Sequence, residues 1–492
     1  MDKKPHHAPE GFDWMTRVSD WQIVQDTLNL TLTSAAGHSA DLRFQALSAH
    51  IWRMTFLPPA ARLLPTPILS ANPTPQPLHV TEDDDSLVVR SHPAAVSSNQ
   101  RTGDEVTALS LHIQRDPWSF RLLDTQGFDV LRDNPSDIDG LGRSFVLPLG
   151  FVADATGITR VTQSFHLRPD EHLYGLGEKY TPLDKVGQRI ITWNQDAFGS
   201  TSERSHKNIP FLLSTRGYGL LLDTGARITW DLGVTSCQSV SIQLEGEALD
   251  AYIIYGPALA DILERYTTLT GKSPLPPKWT YGLWVSSGGT YRTQADMETL
   301  VAGLDVHDIP ASVVHIDPWW MQWRTYCDFR WNRDAFPDVE GFITSLHDAG
   351  LKLCLWEHPY ISIESDLFEY GKEHGYFLKR PDGEVYIIDY GLSLAPRPDG
   401  VVRLATPETS WNARVAIIDL THPDAYTWFQ DLHRPILRMG VDVFKTDFGE
   451  DVPHDAVFYN GETGASMRNL YALLYNRCVT EVTQEERGYG VV

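Results

Sequence analysis

The strongest constraint on this chain is a single change of pattern near residue 277. Up to about residue 256 the sequence runs in short β-rich stretches: "DLRFQALSAHIWRMTF", "SLVVRS", "ALSLHIQRD", "WSFRLLDTQGFDVL", "GYGLLLDTG" and "YIIYGP". Gly, Pro, Asn and Asp break these runs, a spacing that predicts a β-sandwich over residues 1–256. Residues 69–78, with Pro73, Pro75 and Pro77, read as a surface loop. No internal repeat is visible. A helix-period run (Leu259, Ile262, Leu263, Tyr266) and then Pro274, Pro276 and Pro277 follow. Residues 257–277 therefore read as a linker helix with a Pro-rich connection.

From Lys278 onward strands and helices alternate. "YGLWVSS" reads as a buried strand, "SVVHIDP" as the second, "LKLCLWEHPY" as the third and "VDVFKTDFG" as the fourth. Between them lie helical stretches. Thr293 is a candidate N-cap, with Met297, Leu300, Val301 and Leu304 on one face; Gly350 closes another helix. The run "PDAYTWFQDLHRPILRMG" is a helix with a kink or break expected at Pro435. The last helix carries Met467, Leu470, Tyr471, Leu474, Tyr475, Cys478 and Val482 at helical spacing. Such alternation predicts a parallel sheet with helical crossovers, so residues 278–492 are read as an α/β barrel unit.

Length and charge narrow the function. A chain of 492 residues exceeds one ordinary core, so two or more domains are expected. With 41 Lys+Arg against 64 Asp+Glu, the net charge of −23 argues against nucleic acid and against an anionic membrane as partner. No apolar run reaches the roughly 18 residues of a membrane span. The polar start, Met1 to Trp14, carries no secretory signal pattern. The 4 cysteines are scattered without a CxxC pair, which fits reduced thiols and a cytoplasmic location. The chain is rich in aromatics, with 15 Trp and 19 Tyr. Most such rings serve as core, and sugar-binding clefts use them as well.

Chemistry concentrates at the strand ends, where barrel enzymes keep it. In "VDVFKTDFGE", Val441, Val443, Lys445 and Asp447 share a face and the charged pair comes last. Lys445 would help keep Asp447 ionised. A surface ion pair at a strand terminus has the same spacing, and spacing alone leaves both readings open. In "SVVHIDPWWMQW", Val313, His315 and Asp317 share a face, and Pro318, Trp319, Trp320 and Trp323 follow. His315 reads as an inner-layer residue; a metal would need three or four donors, and no third candidate has suitable spacing. No metal and no cofactor are expected. Asp317 beside tryptophans suits a sugar hydroxyl acceptor, and Trp356 at the end of the third strand is either core or a platform for sugar.

The segments "FKTDFGE" (444–450), "HIDPWWM" (315–321), "LWEHPY" (355–360), "FLKRPDG" (377–383), "WNQDAFGSTSE" (193–203) and "YGLGEKYTPLD" (174–184) together resemble glycoside hydrolase family 31, most closely its α-xylosidase branch. The resemblance runs from about residue 40 to the end. It implies a galactose-mutarotase-like β-sandwich followed by a (β/α)₈ TIM barrel, and a retaining, exo-acting α-glycosidase acting on an oligosaccharide or glycoside. It implies that Asp447 is the nucleophile that forms a covalent glycosyl intermediate. Lys445 and Asp317 would hold sugar hydroxyls, Trp356 and Phe448 would line the subsite with Trp319 and Trp320 nearby, and Asp196 would reach the saccharide from a sandwich loop. Glu450 is either a residue orienting its neighbours or a plain loop carboxylate. Members of the family often form homo-oligomers; no stretch here marks an interface.

Two departures matter. The first-strand loop "VSSGGTYR" (285–292) has glycines where the α-xylosidase branch carries an aromatic near Gly289, which puts the xylose preference in doubt unless Tyr291 or Trp319 fills the space. And the acid/base carboxylate, needed about 5–5.5 Å from the nucleophile in a retaining enzyme, belongs beyond strand five in this family. Four βα units follow Lys278, whereas a whole barrel takes about 250 residues. The expectation is the first half of a barrel, an inactive fragment without its acid. Asp328, Asp338, Glu357 and Glu364 lie in loops or near strand ends, and no pattern assigns any of them that role. Alternative readings are an α-glucosidase or α-glucosyltransferase on the same scaffold, or a non-catalytic sugar-binding or assembly protein.

Overall fold

The computed structural model describes residues 5–64, 66–70, 73–91, 109–134, 144–197, 200, 202–286, 290–322, 324–389 and 414–492. It divides into two units, Met1–Lys272 and Ser273–Val492.

The first unit is antiparallel β. Its strands form a 13-stranded and a 5-stranded sheet. Alternation of side chains in and out is visible in single strands: Thr27–Ser34 buries every second residue, as does Leu109–Gln114. Residues of both sheets meet in one apolar core, with Leu30, Leu42, Phe44 and Trp52 from the large sheet against Leu87, Leu111 and Phe120 from the small one. This is the sandwich that the sequence predicts.

In several strands the alternation fails, most fully in two. Tyr218–Leu222 and Leu249–Tyr255 are buried almost throughout. The cause is α1 (Leu259–Thr270), which packs on them through Ile262 and Leu269 against Phe211, Leu221, Tyr252 and Ile254. Tyr266 stacks on Phe211 with ring centroids 4.0 Å apart. The helix assigned to the linker from sequence therefore belongs to the first unit, because its apolar stripe finds a partner on the sheet's outer face.

The second unit carries a parallel sheet of β1 (Trp284–Ser286), β2 (Val313–Ile316), β3 (Lys352–Glu357) and β4 (Val443–Thr446), in that spatial order. α2 (Gln294–Val306) connects β1 to β2, and α3 (Val339–Asp348) connects β2 to β3. This is the strand order of the first half of a (β/α)₈ barrel. Between β3 and β4 come α4 (Asp366–His374), α5 (Pro423–Met439) and a small antiparallel sheet of Tyr360–Ser362, Val415–Ile417 and Ile387–Ile388. α6 (Gly464–Arg487) follows β4.

Local chemistry sets the helix ends. Thr293 caps α2: its side chain accepts from the Asp296 N–H at 3.2 Å, and the Asp296 carboxylate accepts from the Thr293 N–H at 3.0 Å. α4 ends on Gly375 in the left-handed region, φ 72°. α5 runs unbroken through Pro435, so the expected break does not occur. Its buried face, from Phe429 and His433 to Ile436 and Leu437, carries packing across the proline.

At the start of β4, Asp442 is fully buried. It accepts from His347 Nε2 at 2.8 Å, Lys352 Nζ at 3.0 Å, the Leu353 N–H at 3.0 Å and Arg487 at 2.9 Å. β1 differs from expectation. Trp284 and Ser286 are exposed, with Tyr281 and Leu283 beside them, because β1 is an edge strand that pairs only with β2 among the described residues.

Candidate active site

The parallel register brings the sequence candidates together. Trp356 of β3 lies opposite Lys445 of β4, and Glu357 opposite Thr446. Asp447 is the first residue past β4, and its backbone N–H donates to the Glu357 carbonyl at 2.9 Å. The chain then turns sharply: Phe448 has φ 59° and Gly449 φ 104°. The carboxylate is therefore fixed by backbone at the C-terminal edge of the sheet.

Three donors converge on it. Trp356 Nε1 and Lys445 Nζ donate to Asp447 Oδ2 at 2.7 and 2.8 Å, and the Phe448 N–H donates to Oδ1 at 3.1 Å. Burial alone pushes the carboxyl upward, but the Lys445 charge and these donors outweigh it and hold Asp447 below the ordinary range. Asp447 is thus an ionised, partly exposed carboxylate at neutral pH.

On β2, His315 sits with Nδ1 2.7 Å from Ser286 Oγ and Nε2 3.8 Å from Asp317 Oδ1. Burial, then Lys445, pushes its imidazole down to about 4, so it is neutral. Asp317 shifts upward through burial, with Lys445 opposing. Asp317, Lys445 and Asp447 thus feel one another's charge.

The tryptophans divide differently from the sequence reading. Trp320 is fully buried and donates to the Trp356 carbonyl at 2.9 Å. It supports β3 and cannot line a subsite. Trp356 is only 2 % exposed, and its polar edge is spent on Asp447. It is a holder of the carboxylate more than an open platform. Trp319 stacks under the Arg292 guanidinium at 4.1 Å, a contact that nothing in the sequence pattern pointed to. Phe448 packs edge-on to Trp356 at 6.3 Å. Glu450 is buried beside Tyr360, whose hydroxyl accepts from the Gly449 and Asp451 N–H groups at 2.9 and 3.2 Å. Tyr360 thereby shapes the turn after Asp447, a role that sequence spacing did not reveal. Gly288, Gly289 and Trp323 lie outside the described residues. Asp196 lies in the first unit, its Oδ1 3.0 Å from His206 Nε2.

The other carboxylates are engaged. Asp328 accepts from Thr325 Oγ1 and the Arg330 N–H, both at 3.0 Å. Asp338 caps α3 and Glu364 pairs with Arg324. Glu357 is wholly buried behind the strand. Among the described residues no cluster of three or more His, Cys, Asp or Glu is placed to hold a metal ion, and no helix is long and apolar enough to cross a membrane.

Comparison with known proteins agrees with this geometry. Residues 273–491 match the glycosyl hydrolases family 31 TIM-barrel domain, and residues 41–231 match the glycosyl hydrolase 31 N-terminal galactose mutarotase-like domain. The α-xylosidase XylQ of Lactiplantibacillus pentosus is 38% identical over 337 residues, 68% of this chain and 41% of its own length. An α-xylosidase of Emericella nidulans is 32% identical over 487 residues, 95% of this chain and 58% of its own. The cycloalternan-forming enzyme of Listeria monocytogenes, solved with a pentasaccharide substrate, superposes with a TM-score of 0.81 at 23% identity, over 98% of this chain and 44% of that one. A β-sandwich followed by parallel βα units with an ionised carboxylate at the strand ends defines a glycoside hydrolase architecture. The chain belongs to glycoside hydrolase family 31. It spans about half the length of the curated relatives it matches.

Proposed function

We propose that this chain carries the nucleophile half of a retaining, exo-acting α-glycosidase, with a terminal α-xyloside as substrate. The observation that carries the reading is the threefold hold on Asp447 by Trp356, Lys445 and the Phe448 N–H. An ionised carboxylate at a strand end attacks the anomeric carbon, the leaving group departs, and a covalent glycosyl-aspartate forms that water later cleaves. Lys445 and Asp317 stand beside it to take sugar hydroxyls. The preference for xylose is supported by α-xylosidase relatives at 38% and 32% identity. Unpaired cysteines support a reducing, cytoplasmic setting.

The acid/base carboxylate is assigned to none of Asp328, Asp338, Glu357 and Glu364, since each is buried or engaged elsewhere. Residues 1–492 alone are therefore expected to form the glycosyl intermediate only from a sugar whose leaving group needs no proton. An activated, fluorinated α-xylosyl fluoride tests this: mass spectrometry should find the adduct on Asp447, faster than with the glucosyl reagent. Absence of an adduct in a chain shown to be folded, or equal turnover of ordinary aryl α-xyloside by the Asp447→Ala variant, overturns the assignment.

A further inference from the structure

Behind Asp447 lies a pair of titratable side chains that the reaction above does not use. Side chains alternate along β3, so Trp356 faces the carboxylate while Glu357 points to the opposite side, toward α5 and α6. A strand position of this kind is ordinarily apolar. Glu357 and His433 are both wholly buried, with Oε1 and Nε2 3.7 Å apart. Neither carboxyl oxygen of Glu357 has a hydrogen-bond partner among the described residues, and neither does Nε2 of His433.

The tautomer is fixed by geometry. His433 Nδ1 lies 2.7 Å from the Phe429 carbonyl, which only accepts, so Nδ1 carries a proton. Nε2 then faces Oε1. If both were bare, a buried anion would confront a lone pair with no donor in reach, at a cost of desolvation that proteins do not leave uncompensated.

The neighbours compensate only in part: His433 and Tyr475 act to lower the Glu357 carboxyl, and burial outweighs them. The facing groups are His433 on α5, Tyr471, Tyr475 and Cys478 on α6, Cys327 in the loop after β2, and Asp447 after β4. Tyr475 Oη donates to the Glu357 main-chain carbonyl at 3.3 Å and Tyr471 Oη to the Ile418 carbonyl at 2.8 Å. Cys478 Sγ lies 3.5 Å from the Tyr426 carbonyl, and Cys327 Sγ is engaged with His358. None is a cation.

We propose that Glu357 and His433 hold one proton between them, resident on the Glu357 carboxyl, and that this neutral pair is the tether fixing the end of β3 against α5. A closing movement of about 1 Å turns the pair into a hydrogen bond from the carboxyl to Nε2. Burial acts in the same direction, raising the Glu357 carboxyl. The tether matters because the end of β3 holds Asp447 twice, through the Glu357 carbonyl and the Trp356 indole. Keeping Glu357 neutral also spares Asp447 a second negative charge nearby. That last consequence rests on the reading of Asp447 as nucleophile; the shared proton does not.

The test needs no turnover. Unfolding of the full chain and of Glu357→Gln is followed across pH. The native wild type keeps a proton that its unfolded chain releases, so its stability falls relative to the variant as pH rises. The wild-type unfolding constant should gain up to about tenfold per pH unit on that of the variant above about pH 4.3. A ratio flat with pH overturns the proposal. Should the variant not fold, carbon NMR of the wild type labelled at glutamate carboxyls decides. One glutamate should stay protonated at about pH 7; titration of every glutamate near its ordinary value of about 4.3 refutes the shared proton. If the proton is found and Asp447 is not labelled by the fluorinated reagent, the pair stands and the functional reading falls.

Discussion

The Trp356 indole N–H donates to Asp447 Oδ2 at 2.7 Å, across two parallel strands paired in register. A buried aromatic residue thus does electrostatic service for a partly exposed carboxylate. Trp356→Phe removes the donor together with part of the buried ring system. A hydrogen bond to a charged group is worth about 1.5–3 kcal/mol. The rate of Asp447 labelling by the fluorinated xylosyl reagent, compared on folded protein, is therefore expected to fall by at least about tenfold.

Lys445 is the cation whose charge keeps Asp447 low. Lys445→Met is expected to move the pH midpoint of labelling upward by about 1–3 units, because the reactive species is the ionised carboxylate. Labelling of the variant is then lost at pH values where the wild type still reacts. Lys445→Arg retains the charge and should move the midpoint far less. An unmoved midpoint in Lys445→Met removes the lysine from this role.

Asp442 is the buried centre of a four-donor network at the opposite end of β4 from Asp447. Burial acts to raise its carboxyl, and the Leu353, His347 and Lys352 contacts overcome it, so the folded value is depressed. Its contribution is then complete above the unfolded value of about 3.9 and is lost as pH falls through the folded value. Asp442→Asn leaves the partly exposed Lys352 and Arg487 short of their partner and should lower the stability measured by urea unfolding at neutral pH. The acid limb of its stability curve should be flatter than that of the wild type.

Gly449 holds φ 104° directly after the Asp447–Phe448 step. An L side chain there costs about 1–2 kcal/mol. Gly449→Ala should lower stability by that amount and, with Asp447 as the proposed nucleophile, slow labelling as well, because the turn begins at that carboxylate. Loss of stability with labelling unchanged would mean that the turn and the carboxylate are mechanically independent.

Part of this site was legible before any coordinates. The alternation in "VDVFKTD" puts Lys445 and Asp447 on one face because a strand has period two, and no tertiary information is needed for that. The same rule placed His315 with Asp317. The fate of the tryptophans was not legible. Trp319 and Trp320 are adjacent and chemically identical, yet one stacks under Arg292 and the other vanishes beneath β3. That difference depends on which way a short turn after β2 rotates. The Glu357–His433 pair escaped for a related reason: its members lie on a strand and a helix joined by a long excursion, and neither stands out alone. Exposure of β1 was misjudged because an apolar strand sequence reports what the strand can bury, not what lies beside it.

β1 has a further consequence in solution. Its outer side offers backbone donors and acceptors with no partner strand among the described residues, flanked by Tyr281, Leu283 and Trp284. Two such rims are each other's nearest equivalents, so encounter between molecules grows with the square of their number. Behaviour of this polypeptide on dilution is therefore as informative as its behaviour with sugar.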